Sequence, residues 1–238
     1  MINKKGLFYL IFAFDLNQGV VVSGLTLKIA THDELHNSPP YIETMNYAQE
    51  ALKQLNIQVE YVSLPLARGA LMANQGLLDG ELVRSHLVQG EYENLIETSE
   101  PILISLYGVV HLDGKEIDRQ KIRNMKGVIP LNVGGVEKFI KELELQLVGV
   151  PSMERALDMV ISKRADYAIL EGRVFDSLKK DSRYSSLKFN KGISVANPLY
   201  FRLNKKYQMI LPKVESAFKK EKRLNHKKYP LIEDYFRY

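Results

Sequence analysis

The 238-residue chain has no cysteine and no tryptophan. Without cysteine there is no disulfide framework, zinc–thiolate site, iron–sulfur cluster, cysteine nucleophile or lipidated cysteine. No P-loop and no Gly-x-Gly-x-x-Gly run occurs, so nothing marks a nucleotide phosphate site. No apolar run approaches the length of a membrane-spanning helix. Low-complexity sequence and Gly/Ser linkers are missing too, so no boundary shows in the composition. What remains is 45% hydrophobic and 26% charged residues, well outside the range of a disordered chain. The length suits one large domain or two smaller lobes with real cores.

Residues 1–24 carry the pattern of an export signal. Lys4 and Lys5 form a short positive stretch, the run from Leu7 to Phe14 is apolar, and Val22-Ser23-Gly24 offers small or apolar residues of the kind that precede a cleavage site. Asp15 ends the run and is the residue that argues against export; the alternative is a buried N-terminal strand. Export makes a mature chain that starts near Leu25, located in a periplasm and not anchored to a membrane.

The net charge of +5 is unevenly spread. Residues 204–238 hold ten Lys/Arg against four Asp/Glu, net +6, so the rest of the chain is close to neutral at −1. Lys219, Lys220, Lys222 and Arg223 avoid the apolar stripe of the last helix and read as its solvated face. Tyr229, Tyr235, Phe236 and Tyr238 lie among the basic residues, but export argues against a nucleic-acid partner, and none is expected.

From residue 25 the patterns alternate. A strand over 25–31 is followed by a polar loop with Pro39-Pro40, a helix over 42–55, a strand over 57–63, a helix over 65–75 ended by Gly76, and a strand over 77–84. Strand–helix–strand–helix–strand predicts a parallel sheet with crossover helices. The apolar stretch 101–112 is too long for an ordinary strand and is suited to cross from one lobe to another. The pattern then restarts: a polar helix near 117–125, strand 128–133, helix 136–144, strand 145–148, helix 152–163 and strand 166–170. An extended stretch over 193–203 and an amphipathic helix over 205–223 complete the order.

Several motifs fall within that order. They are Pro39-Pro40-Tyr41 after the first strand, Leu64-Pro65-Leu66-Ala67-Arg68-Gly69-Ala70, Asp79-Gly80-Glu81-Leu82-Val83-Arg84, Tyr92-Glu93-Asn94-Leu95-Ile96, Glu100-Pro101-Ile102 and Ala165-Asp166-Tyr167-Ala168-Ile169-Leu170-Glu171. Together they resemble the extracellular solute-binding proteins of the type 2 periplasmic fold, the family 3 group that includes polar amino-acid binders of ABC transporters. The resemblance covers nearly the whole mature chain. It implies an α/β fold of two lobes, each a mostly parallel sheet flanked by helices, joined by two extended crossings. Lobe 1 is expected at 25–103 plus 200–238 and lobe 2 at 104–199. It also implies a monomer that binds a small polar ligand between the lobes and delivers it to an ABC permease. No cofactor or metal is implied.

The expected ligand-binding residues are Tyr41, Arg68, Glu81, Arg84, Gly135 and Glu171. In open parallel sheets, ligands lie beyond the carboxyl ends of the strands. Arg84 ends one strand, where its guanidinium can clamp a carboxylate or pair with Glu81 or Glu91. Glu171 ends another, placed to accept from a ligand ammonium or to cap a helix. Gly134-Gly135 precede a helix, so their amides can meet an anion. Tyr41 can stack on a ligand or line its loop, and Arg68 stands one turn into its helix. Two departures from the family pattern point away from a standard α-amino acid. The family's carboxylate-binding arginine lies a few residues further along, in a Thr-x-x-Arg segment, and Val136 stands where many members have Ser or Thr.

Catalytic alternatives are thin. His32 and His36 are four apart, a zinc spacing on a helix, but they follow a strand and run into Ser38-Pro39-Pro40. An enzyme on the same fold, of the dehydratase kind, and a periplasmic sensor or partner-binding module are the two rivals to transport. Cell fractionation tests the export expectation. The protein is expected outside the cytoplasm with a shortened N-terminus, and an intact Met1 chain in the cytosol would overturn it.

Overall fold

A computed structural model describes residues 24–33, 35–86, 92–115, 117–131 and 135–236. Residues 1–23, on which the expected export signal falls, lie outside these, as do Glu34, Glu91 and Gly134. The first half builds one parallel unit from β1 (Leu25–His32), α1 (Pro39–Lys53), β2 (Ile57–Leu64), α2 (Leu66–Asn74) and β3 (Gly80–Arg84). β1 lies between β2 and β3, parallel to both. Its alternation puts Leu27 and Ile29 into the core. α1 begins at the two prolines that the sequence pattern leaves in a loop. Their fixed φ and missing N–H suit the first turn of a helix. Tyr41, Thr44, Met45, Ala48, Ala51 and Leu52 then recur at helical spacing on its buried face.

β4 (Leu95–Glu97) is a short strand that the sequence pattern does not announce. β5 (Leu103–Leu112) is the expected long crossing strand. The second unit follows as β6 (Gly127–Pro130), α3 (Glu137–Glu142), β7 (Leu147–Val150), α4 (Met153–Ile161), β8 (Tyr167–Glu171) and α5 (Gly172–Leu178). β6 is parallel to both β7 and β8. β9 (Leu187–Asn204) returns to the first unit, where α6 (Leu211–Asn225) packs on α1. The polar helix expected near 117–125 is only a 3-10 turn at Lys121–Asn124. The last helix is preceded by a 3-10 stretch, Lys205–Ile210, because Pro212 fits only the first turn of the α-helix. α5 has no separate sequence signal and starts directly at Gly172.

The strands run in the order β2-β1-β3-β9-β5-β8-β6-β7, with β4 beside β9. β9 is antiparallel to β3 and β4 at its C-terminal end, and to β5 along the rest. One core joins Leu27, Ile29, Ala48, Leu52, Leu82, Phe201, Val214 and Phe218. The other sheet has a core on each face. Ala168 and Leu170 of β8 pack on one side and Tyr167 and Ile169 on the other, so this strand is an unbroken buried run. The result is two α/β lobes joined by two adjacent extended segments, with Leu103 facing Leu199 in register at the junction.

Each lobe repeats one local device. In the first, the Lys28 N–H donates to the Asp79 carboxylate at 2.8 Å while the Asp79 N–H donates to the Lys28 carbonyl at 2.8 Å. In the second, Lys126 and Asp166 make the same reciprocal pair, both bonds at 2.7 Å. In both cases the aspartate fixes the start of a strand, β3 or β8, against the neighbouring strand, β1 or β6. Lys206 and Tyr207 complete the bonding of Asp79, and Lys115 pairs with Asp166. At Gly80, next to the first clamp, a Cβ would lie 2.0 Å from the Arg202 carbonyl, so only glycine lets β3 approach β9 this closely.

Partial burial alone would raise the Asp79 pKa, but Lys206, the Lys28 amide and Tyr207 outweigh it and hold the carboxyl below its usual value. Lys115, with the Lys126 amide, overcomes desolvation to do the same for Asp166. Folding therefore favours both ionised forms. Their contribution is complete above the unfolded value near 3.8 and is lost as pH falls through the lower folded values. Denaturant midpoints between about pH 3 and pH 7 are expected to fall on the acid side in the wild type. Asp79→Asn and Asp166→Asn should each be less stable at neutral pH and show a shallower acid loss. An unchanged slope in both variants would refute the clamp.

Candidate functional site

The carboxyl ends of β1, β3 and β8 open onto one cleft at the junction of the lobes, about 780 Å³ in volume. That is within the usual range of small-molecule sites, roughly 300–1,000 Å³. His32, Tyr41, Arg84 and Ser85 form part of one wall. Tyr107, Gly135, Glu171 and Arg173 form part of the other, and Asn197 of β9 lies at the junction.

On the first wall, Tyr41 lies in the opening turns of α1 rather than in a loop, and is buried. Its hydroxyl accepts from the His32 N–H at 3.0 Å, which leaves its own proton to donate. Burial raises its pKa far above the usual tyrosine value, opposed by the bond from His32. Arg84 has Nε 3.5 Å from a Glu81 carboxylate oxygen. Glu81 does not line the cleft. It lies beneath the wall, facing Arg202 across the strand pair, with Arg202 Nη1 donating to its other oxygen at 3.2 Å. Arg202 also pairs with Glu97 at 3.4 Å and donates to the Ser85 carbonyl. Arg202 is 2% exposed, and its signal in the sequence is a lone charge within the apolar run Leu199-Tyr200-Phe201-Arg202-Leu203. A charge in such a strand requires a partner.

On the second wall, Glu171 faces Tyr107 across the β5–β8 pair. One Glu171 oxygen caps α5 by accepting from the Val174 N–H at 3.0 Å, and the other accepts from Arg173 Nε at 2.7 Å. Arg173 in turn lies over the Tyr235 ring, 4.2 Å from its centroid. Burial would lower the Arg173 pKa, but Glu171 and Tyr235 outweigh it, so the cation is stabilised. Burial, with Glu171 nearby, pushes the Tyr107 pKa up. Arg173 and Tyr107 are cleft residues that sequence patterns miss. Arg173 has no motif of its own, and Tyr107 is hidden in a long apolar strand.

Gly135 has φ +79°, and a Cβ there would come 2.6 Å from Asn197 Oδ1 and Ser85 Oγ. The two lobes therefore meet at this glycine. Its N–H donates to Glu137 at 3.2 Å, so this amide is not free for an anion as the loop sequence suggests. Arg68 is exposed on α2 and forms no part of the cleft wall, although Pro65, Leu66 and Ala67 of the same segment do. The structure thus brings Tyr41, Arg84, Gly135 and Glu171 together at the cleft, puts Glu81 behind them and leaves Arg68 outside. His32 ends a strand and pairs with Asp33, while His36 shares a hydrogen bond with Thr31. They do not share a helix face.

No family model and no curated protein matches the chain. Solved structures do. An ancestral arginine-binding protein bound to arginine is 15% identical, with a TM-score of 0.66 over 89% of this chain and 98% of that one. A histidine kinase sensor domain with similarity to periplasmic binding proteins is 13% identical, with a TM-score of 0.69 over 88% and 94%. The ancestral amino acid-binding protein AncCDT-1, a precursor of cyclohexadienyl dehydratase, is 17% identical, with a TM-score of 0.66 over 89% and 95%. The chain has the two-lobed fold of the type 2 periplasmic binding proteins.

Proposed function

We propose that this protein is an exported solute-binding protein that captures a small polar ligand in the cleft between lobe 1, residues 25–103 plus 200–238, and lobe 2, residues 104–199. The observation that carries this reading is the convergence of strand ends from both lobes on one cleft, with Arg84 on one side and the Glu171–Arg173 pair on the other. The ligand bridges the walls, the lobes close about the two extended crossings, and the loaded form is delivered to a membrane permease of the ABC type. The protein works in the periplasm as a monomer. No covalent step is required. Both oxygens of Glu171, the buried carboxylate of the cleft wall, already accept hydrogen bonds, which speaks against a dehydratase-like acid. Sensing is the second reading, favoured by the similarity to a kinase sensor domain. An adjacent permease and ATPase pair in the genome favours transport, and its absence favours sensing.

A thermal-shift screen over amino acids, amines, organic acids and small sugars tests the binding reading. A ligand at 100 times its Kd adds about 2.7 kcal/mol, roughly a 5–10 °C rise in Tm for a chain of this size. Arg84→Ala should abolish that rise and leave the ligand-free melt within a few degrees of wild type. Undiminished binding in Arg84→Ala would show the clamp to be misassigned. Gly135→Ala forces both strained φ and a clash with Ser85 and Asn197. It is expected to weaken binding and reduce the ligand-induced fall in radius of gyration measured by X-ray scattering; full compaction in this variant would refute the closure contact.

A further inference from the structure

The cleft wall carries two guanidinium groups, and its buried carboxylate, Glu171, already pairs with one of them. Arg84 uses only Nε toward Glu81, and Arg173 uses only Nε toward Glu171. Among the described residues, the terminal Nη atoms of both arginines have no hydrogen-bond partner. Each guanidinium thus retains the paired donors that match an oxyanion. The two come from opposite lobes, one at the end of β3 and one in the first turn of α5. The Tyr41 hydroxyl lines the same cleft and keeps a proton to donate.

The carboxylates lining the cleft are differently placed. Glu171 is occupied by Arg173 and the Val174 amide, Glu137 accepts from the Gly135 amide, and Asp33 pairs with His32. A ligand ammonium reaching the buried carboxylate of the wall would have to share it with Arg173, already held there by a 2.7 Å ion pair, and would meet that cation's repulsion. Arg173 cannot easily swing away, because Tyr235 from the C-terminal segment covers its guanidinium face. The corner that would face an ammonium therefore already holds a cation of the protein itself.

We propose that the cleft takes a small dianion of the dicarboxylate class, with one oxyanion held by Arg84 and the other by Arg173. This rests on the reading of the cleft as a ligand site and names the chemistry of its ligand. Arg173 is the specificity-determining residue: it turns the Glu171 corner of the cleft from a cation acceptor into an anion donor. Tyr235 and Glu171 position it.

Titration calorimetry of the full chain with succinate, glutarate and malate, against glutamate, glutamine and arginine, tests this. Glutarate and glutamate differ only by the α-ammonium, so the pair isolates its effect. At least one dicarboxylate is expected to bind tenfold or more tightly than any of the amino acids. Arg84→Gln and Arg173→Gln should each weaken it more than tenfold, and Arg173→Lys should recover only part of the loss because it lacks the fork of donors. Ligand-free melts check that each variant folds. Tighter binding of an amino acid than of every dicarboxylate overturns the dianion and leaves the binding reading in place. So does loss of binding in Glu171→Gln with none in Arg173→Gln. If no compound of the broader thermal-shift screen binds, the binding reading itself falls.

Discussion

β9 belongs to both lobes, and that sharing governs the rest of the molecule. Its C-terminal end is hydrogen-bonded to β3 and β4, and the remainder lies along β5. An 18-residue strand cannot satisfy its backbone in one small sheet, so the two lobes are built on a common antiparallel spine. β9 and β5 pass together between the lobes beside Leu103 and Leu199. Because β9 borders β3 directly, residues at the end of β3 are brought to that junction, and Arg84 is among them.

The ionic groups around the cleft are best understood as positioning devices. Glu81, Arg202, Glu97 and Arg84 form a connected set beneath and along one wall. Desolvating such charges consumes most of what their attraction returns, so the set adds little net stability, although removing one of its two buried members, Glu81 or Arg202, typically costs about 3–5 kcal/mol. What it secures is the direction of Arg84 and the backbone at Ser85. The Glu171–Arg173–Tyr235 group does the same from the second lobe, and it draws the C-terminal segment into contact with that lobe. At the cleft, the basic C-terminal segment thus contributes an aromatic ring.

Much of the architecture was visible in the residue pattern because it depends on local periodicity. The alternation in β1, the helical spacing in α1 and α4, and the restart of the pattern after β5 all arise from which side chains must leave water. Errors occur where a short-range preference has two outcomes. Pro39-Pro40 suits a loop or a first helical turn, and the apolar residues of α1 decide for the helix. The segment near 121–124 gives the core a single side chain, Ile122, and makes only a 3-10 turn.

The site divides in a similar way. Arg84 and Glu171 were identifiable because strand ends of a parallel sheet are where ligands lie, and that rule needs only element order. Arg173, Tyr107 and Asn197 were not, because their relation to the cleft depends on how one lobe faces the other. Arg68 shows the reverse: its segment touches the cleft, but the phase of α2 turns its side chain to solvent. By itself the sequence determined the α/β order, the repeated lobe and the absence of cysteine chemistry, since these follow from composition and periodicity. Only the tertiary structure decided which charges face each other, because ion pairs such as Glu81–Arg202 join residues 121 positions apart and depend on strand register rather than on any local pattern.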